Sequence, residues 1–150
     1  MGDHKAISIN APGRTQTYVF EAIPERFEQA QQQVRAFLEP VGCSMRTIFE
    51  LDMVVEEVFI NIANYAYGKQ IGKAWVDLSM DDSGKHLIMT FRDKGIPYDP
   101  LKKETPDLKS PAEKRAIGGL GIFLVHEYSD SLSYEYKDGE NRLTICKKLR

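Results

Sequence analysis

Two polar side chains one helical turn apart, Glu57 and Asn61, are the residues of this sequence best placed for chemistry. They lie in the segment from Glu50 to Gly68, where apolar residues recur at steps of three and four and predict an amphipathic helix. On that helix a carboxylate and an amide oxygen project toward a common point. The arrangement suits a helix that lines a cleft, and a core helix with a few hydrogen-bonded polar residues is the alternative left open.

Helical spacing extends this polar strip to Glu50 and Asn64, with apolar residues on both flanks. A fully solvated helix face would not normally be bordered in that way. Asp52 and Glu56 point elsewhere and are predicted to be the exposed side of the helix.

A second candidate is the Asp93, Lys94, Gly95 triplet, which directly follows a predicted strand. An aspartate at a strand end can accept a hydrogen bond from an exocyclic amine such as that of adenine. The glycine two residues later removes a side chain that would block a flat ring. Most triplets of this form are simple turns, so this motif is a weak signal by itself.

A third candidate is the glycine cluster formed by Gly118, Gly119 and Gly121, just before an apolar helix predicted from Ile122 to Tyr128. Glycines let backbone amides approach an anion closely, and the start of a helix offers unpaired N–H donors. The cluster therefore suits a phosphate group. A flexible hinge with close helix packing is the alternative.

The elements that position these residues are predicted from periodicity and turn residues. The N-terminal hairpin (6–9 and 15–22) precedes a helix from Pro24 to Val41, and Ser44 is suited to cap the helix with the polar strip. Two further hairpins follow: 74–80 with 86–92, and 132–136 with 142–147. The proline-rich and charged stretch of about 20 residues at 98–117 is predicted to be a functional lid.

Length and composition set limits on function. A chain of 150 residues with 42% hydrophobic residues predicts one domain, residues 1–150. A net charge of -2 argues against direct nucleic-acid binding, and the two cysteines lack metal spacing. Without a signal segment or a long apolar run, we expect no membrane association and a cytoplasmic location.

Taken in order, the motifs resemble the GHKL superfamily, the Bergerat-fold ATPases that include gyrase, histidine kinases and mismatch repair ATPases. The sequence is most similar to the small anti-sigma factor serine/threonine kinases. The matching segments are EEVFINIANYAYG, FRDKGIPYDP and IGGLGIFLVHEYSDSLSYEY. The resemblance implies an α+β two-layer sandwich, with a mixed, mostly antiparallel sheet and helices on one face.

The resemblance also implies roles for individual residues. Glu57 matches the general base that takes the proton from a substrate serine or threonine hydroxyl, and Asn61 matches the Mg²⁺ ligand. Asp93 matches the residue that binds the adenine amine. The implied ATP-binding residues are Asn61, Tyr65, Asp93, Gly95, Pro97, Gly118, Gly119, Leu120, Gly121 and Ile122.

The implied function is an ATP- and Mg²⁺-dependent kinase that phosphorylates a small antagonist (anti-anti-sigma) protein and sequesters a sigma factor, with a homodimer expected. Many relatives have histidine where this chain has Tyr65, and an arginine- and glycine-rich lid that it lacks. A nucleotide-responsive binding module with little or no phosphotransfer is therefore the alternative. A histidine kinase ATPase domain is less favoured, because no predicted helix presents a phosphoacceptor histidine.

Overall fold

The computed structural model describes residues 15–102 and 119–149. In these ranges, the chain forms five strands and three α-helices. The strands are β1 (Gln16–Glu21), β2 (Lys73–Met80), β3 (His86–Asp93), β4 (Ser131–Lys137) and β5 (Glu140–Lys148). The helices are α1 (Phe27–Leu38), α2 (Met45–Tyr65) and α3 (Gly119–Glu127), with short 3₁₀ turns at Pro24–Arg26 and Pro100–Lys102.

The strands form one sheet in the order β1-β2-β3-β5-β4. Every pair among these strands is antiparallel, so the sheet has no parallel pair within the described ranges. Buried side chains alternate along β2 and β3, because the helices cover one face of the sheet. The α+β architecture predicted from the sequence is confirmed.

Helix α2 forms the centre of the apolar core. The Ser44 hydroxyl accepts a hydrogen bond from the Thr47 amide and caps the helix as predicted. The buried side of α2 is wider than the predicted stripe, because Val54 and Phe59 are fully buried as well. The Phe59 ring meets the Phe20 ring of β1 edge-on at 5.9 Å. This packing fixes the rotation of α2, and therefore the direction of its polar strip.

The prediction that Asp52 belongs to an exposed side of α2 was wrong. The Asp52 carboxylate accepts hydrogen bonds from the Arg35 guanidinium of α1 at 2.7 Å to each oxygen. Its backbone carbonyl accepts another from the Gln31 amide at 2.9 Å. Helical spacing shows only that Asp52 points away from the stripe, whereas the neighbouring helix supplies its partner.

Several helix boundaries also differ from the predictions: α1 ends at Leu38 instead of Val41, and α2 ends at Tyr65 instead of Gly68. The helix predicted from Pro24 begins as a 3₁₀ turn and becomes α-helical at Phe27. Helix α3 begins at Gly119, three residues before the predicted start. The predicted strand at 6–9 and lid residues 103–117 lie outside the described residues. No helix in the described part of the chain is long and apolar enough to cross a membrane.

Candidate functional site

A cavity of about 330 Å³ opens beside α2, at the end of the sheet where β3 finishes and β5 begins. Most of its wall is apolar or aromatic, and only a few polar groups reach it. The lining residues are Val58, Asn61, Ile62, Tyr65, Ala66, Phe91, Asp93, Ile96, Tyr98, Pro100, Ile122, Tyr134, Asn141 and Leu143. A mostly apolar cavity with a few convergent polar groups is typical of a small-molecule site.

Asp93 supplies the carboxylate of the cavity. Its side chain is 6% exposed, and its Oδ1 accepts hydrogen bonds of 2.9 Å from the Gly95 amide and from Asn141 Nδ2. Burial raises the pKa of Asp93, Glu140 adds to the rise, and these two hydrogen bonds oppose it. Both bonds end on Oδ1, so we infer that Oδ2 is the oxygen available to a ligand.

Asn141 lies directly opposite Asp93 in the antiparallel register of β3 and β5. Its Nδ2 donates to Asp93 and to the Ile96 carbonyl, both at 2.9 Å. Its Oδ1 accepts from the Tyr98 amide at 3.0 Å and from the Tyr134 hydroxyl. The Asn141 side chain therefore connects β3, β4, β5 and the segment that follows Asp93.

The residues of the polar strip of α2 have different surroundings in the structure. Asn61 lines the cavity, whereas Glu57 precedes the lining residue Val58 and is not itself part of the wall. Burial, and secondarily the charge of Glu56, raises the pKa of Glu57. Glu50 lies nearer the start of α2 and forms an ion pair with the buried Lys147 of β5, which lowers the pKa of Glu50. Glu50 therefore has a structural partner and does not line this cavity.

Gly95 is required by a backbone contact after α2. A Cβ atom on Gly95 would lie 2.1 Å from the Ala66 carbonyl oxygen, far inside van der Waals contact. The same carbonyl accepts a 3.0 Å hydrogen bond from the Ile96 amide. From the sequence, we predicted that glycine is needed at position 95 because a side chain there would block a flat ring. The structure adds a second reason, the close approach of two backbone segments.

Only some of the remaining predicted binding residues line the cavity. Ile122 and Tyr65 line the cavity, whereas the exposed Pro97 does not. Gly119, Leu120 and Gly121 form the first turn of α3, so the glycines open this helix rather than precede it. Gly118 lies outside the described residues. The buried Ile122 and Val125 anchor α3, which places the start of this helix at the cavity.

Sequence reasoning missed several lining residues, above all Asn141, Tyr98 and Tyr134. One signal for Asn141 was available, because it alternates with Leu143 and Ile145 and therefore falls on the core face of its strand. A polar residue on a core face needs partners. No local pattern indicates that its partner is Asp93.

The site fits an aromatic amine better than a resident metal ion. The described residues contain no cluster of three or more His, Cys, Asp or Glu side chains that could hold a metal. Asn61 offers one hard amide oxygen, which suits an Mg²⁺ ion that arrives with phosphate oxygens as its other ligands. The aromatic wall and the carboxylate of Asp93, the one Asp or Glu among the described lining residues, suit a flat ring that carries an exocyclic N–H donor.

Comparisons with known proteins agree with this geometry. Residues 20–147 match the model of the histidine kinase-like ATPase domain. The serine/threonine-protein kinase BtrW of Bordetella bronchiseptica is 28% identical over 102 residues, which are 68% of this chain and 71% of BtrW. The anti-sigma F factor of Bacillus licheniformis is 22% identical over 118 residues, 77% of this chain and 79% of that relative.

A solved structure has the same fold. The structure of the RsbU and RsbW domains of a Mycobacterium tuberculosis protein superimposes with a TM-score of 0.65 and 14% identity. The match covers 93% of this chain and 33% of that longer chain. The resemblance to the anti-sigma factor serine/threonine kinases and to the GHKL fold is confirmed. Because the family model spans most of its length, this chain belongs to the histidine kinase-like ATPase domain family.

Proposed function

We propose that this protein is an ATP-dependent serine/threonine kinase that phosphorylates a small antagonist protein and, in a partner switch, sequesters a sigma factor. The observation that carries the proposal is the cavity lined by the buried carboxylate of Asp93, the amide of Asn61 and Ile122 near the start of α3. The names of the similar proteins, a serine/threonine-protein kinase and an anti-sigma F factor, support the class of reaction and the partners.

Each group has a role in this proposal. Asp93 would accept a hydrogen bond from the 6-amino group of adenine, and the apolar and aromatic wall of the cavity would contact its ring. Asn61 would be a ligand of Mg²⁺, and the ion would neutralise charge on the phosphates. Gly118 to Gly121 allow close approach of backbone amides to the phosphates.

Glu57 is proposed as the general base. Glu57 is the residue before Val58, which lines the cavity, and it lies on the same helix as Asn61. In this proposal it is available to a hydroxyl that approaches the phosphate end of the nucleotide. Its pKa is raised by burial, which moves it toward the range where a carboxylate accepts a proton efficiently near neutral pH. The base takes the hydroxyl proton as the γ-phosphoryl group is transferred to the oxygen.

Phosphate transfer from ATP to a candidate antagonist protein tests this assignment. We expect Glu57→Ala to lower the transfer rate by about 10²–10⁴-fold while ATP affinity changes little. Glu28→Ala is the matched control, because it removes an exposed carboxylate from α1 and leaves the surroundings of the proposed base unchanged. Transfer at the native rate in Glu57→Ala would contradict the role given to this glutamate.

A nucleotide-responsive binding module with little or no phosphotransfer is the second candidate. The half-exposed Tyr65 at the cavity, where many relatives have histidine, favours it. Both candidates use the same cavity, so ATP affinity does not separate them. Tight ATP binding by the native protein, with no transfer to any antagonist, would favour the module.

The proposal includes two features of the working protein. We propose a homodimer through the outer side of β1, where Val19 is half exposed. Val19→Lys with a measurement of molar mass tests this.

We also propose a cytoplasmic location, because ATP and a sigma factor are the expected partners. Direct nucleic-acid binding is not part of the proposed function.

A further inference from the structure

Asn141 is a buried polar side chain to which the proposed reaction gives no role. It is 7% exposed, yet both of its N–H groups and both lone pairs of its oxygen have partners. An asparagine side chain offers two donors and two acceptor positions, so Asn141 has no hydrogen-bonding capacity left for a ligand. It can therefore influence recognition only through the groups that it holds.

The first of these groups is the ligand-binding carboxylate. Asn141 Nδ2 and the Gly95 amide both donate to Oδ1 of Asp93 at 2.9 Å, which fixes the rotation of this carboxylate. Hydrogen bonds from two N–H groups favour the ionised form, which accepts hydrogen bonds and cannot donate one. An amine on the ligand is therefore favoured over a carbonyl at the same position.

The second group is the segment from Ile96 to Tyr98, which forms one wall of the cavity. Ile96 is 66% exposed and Tyr98 is 48% exposed, so burial holds this segment only weakly. Asn141 bonds the Ile96 carbonyl and the Tyr98 amide, and the Ala66 carbonyl accepts from the Ile96 amide. One side chain thus fixes both the carboxylate and the wall beside it.

From these contacts we propose that Asn141 is a positioning residue that makes the site selective for 6-aminopurine nucleotides over their 6-oxo counterparts. It does so by holding Asp93 as a hydrogen-bond acceptor at a fixed distance from the wall formed by Ile96 and Tyr98. This inference rests on the proposed binding of ATP. It assigns the selectivity to a pair of side chains on neighbouring strands.

The charge environment of Asp93 decides how a substitution at Asn141 acts. Among residues 15–102 and 119–149, the titratable groups that interact with this carboxylate are Glu140 of β5, Tyr134 of β4 and Tyr67, which follows α2. These groups include no cation. A second carboxylate at position 141 would therefore face Asp93 without a neutralising partner in the described part of the chain, and the pair would take up a proton as the pH is lowered.

The first test is Asn141→Asp, which keeps the shape of the side chain and removes both N–H donors. At neutral pH we expect ATP to bind about tenfold more weakly, since the hydrogen bond to an ionised group is replaced by repulsion. At lower pH the substituted side chain, once protonated, donates to Asp93 again. The ratio of variant to native Kd for ATP should therefore fall toward one as the pH is lowered.

Because the ratio compares the same ligand at the same pH, the titration of ATP itself cancels. Gln70→Glu is the matched control, because it makes the same amide-to-carboxylate change at an exposed position after α2. This control should keep a ratio near one at every pH. A ratio for Asn141→Asp that is unchanged across the pH range would overturn the inference, since a purely structural defect predicts that result.

The second test is Asn141→Ala, which remains informative if the aspartate variant does not fold. We expect its preference for ATP over inosine triphosphate to fall about tenfold, because Asp93 is no longer held as an acceptor. Equal weakening of both nucleotides would overturn the inference. Failure of the native protein to bind ATP would instead overturn the proposed function, so the two failures are distinguishable.

Discussion

At the scale of single residues, the protonation of the buried Asp93 carboxylate affects both the stability of the fold and the proposed binding of a ligand. Burial raises its pKa above the unfolded value, so the carboxyl group binds a proton more strongly in the native state than in the unfolded state. The stabilising contribution of this group is complete below the unfolded pKa and is lost as the pH rises through the native pKa. Above the native pKa, the ionised carboxylate that the proposed site would present to a ligand therefore lowers the stability of the fold.

Asp93→Asn separates these two effects. The amide oxygen can still accept from Gly95 and Asn141, and no charge is buried. We expect the free energy of unfolding near neutral pH to equal or exceed that of the native protein. ATP should bind about 10–100-fold more weakly, because a hydrogen bond to a charged acceptor is lost. Urea unfolding and ATP titration measure the two quantities. Lower stability with unchanged ATP affinity would contradict this account.

At the scale of elements, the site depends on how the end of β3 meets the end of α2. Ala66 follows the last turn of α2, and its carbonyl lies against Gly95 and accepts from the Ile96 amide. The Tyr67 hydroxyl joins the same region, because it accepts from the Lys94 amide at 2.8 Å and donates to the Lys73 carbonyl of β2. These contacts fix Asp93 relative to the helix that carries Asn61.

Gly95→Ala tests this junction. The added Cβ atom would meet the Ala66 backbone, which cannot move aside as a flexible side chain would. We expect a loss of about 2–4 kcal/mol in the free energy of unfolding, together with weaker ATP binding. Urea denaturation measures the first and titration the second.

The control for that variant is Gly68→Ala, at a position with φ +63 and open space around the new atom. It should cost only about 1–2 kcal/mol, from the left-handed backbone conformation. Equal losses in the two variants would show that collision with Ala66 is not the cause.

At the scale of the whole molecule, the cavity lies between elements that are distant in sequence: α2, the ends of β3 and β5, and α3. A ligand that contacts all of them binds only the folded state, so it stabilises the fold as a unit. At a concentration one hundred times Kd, ATP with Mg²⁺ should add about 2.7 kcal/mol, or about 5–10 °C in Tm.

Thermal unfolding with ATP, in the presence and absence of Mg²⁺, measures this effect. In Asn61→Ala the Mg²⁺-dependent part of the shift should disappear, while the part that comes from the purine contacts remains. A full Mg²⁺-dependent shift in Asn61→Ala would remove this residue from the set of proposed metal ligands.

The sequence by itself determined the features that depend on neighbours along the chain. Periodicity placed α2 and five strands of the sheet, the Ser44 cap was evident from its residue type, and Asp93 was recognised at the end of a strand. The order of these motifs was sufficient to indicate the family. Helical spacing and turn chemistry are local, so the linear sequence records them directly.

Only the tertiary structure decided the pairing of residues that are distant in the chain. Asp93 and Asn141 are 48 residues apart, and the register between β3 and β5 brings them together. The pairing of Glu50 with Lys147, and the contact of Gly95 with Ala66, likewise depend on how α2 packs against the sheet. Register and packing are set by the summed burial of many side chains, which no local pattern in the sequence records.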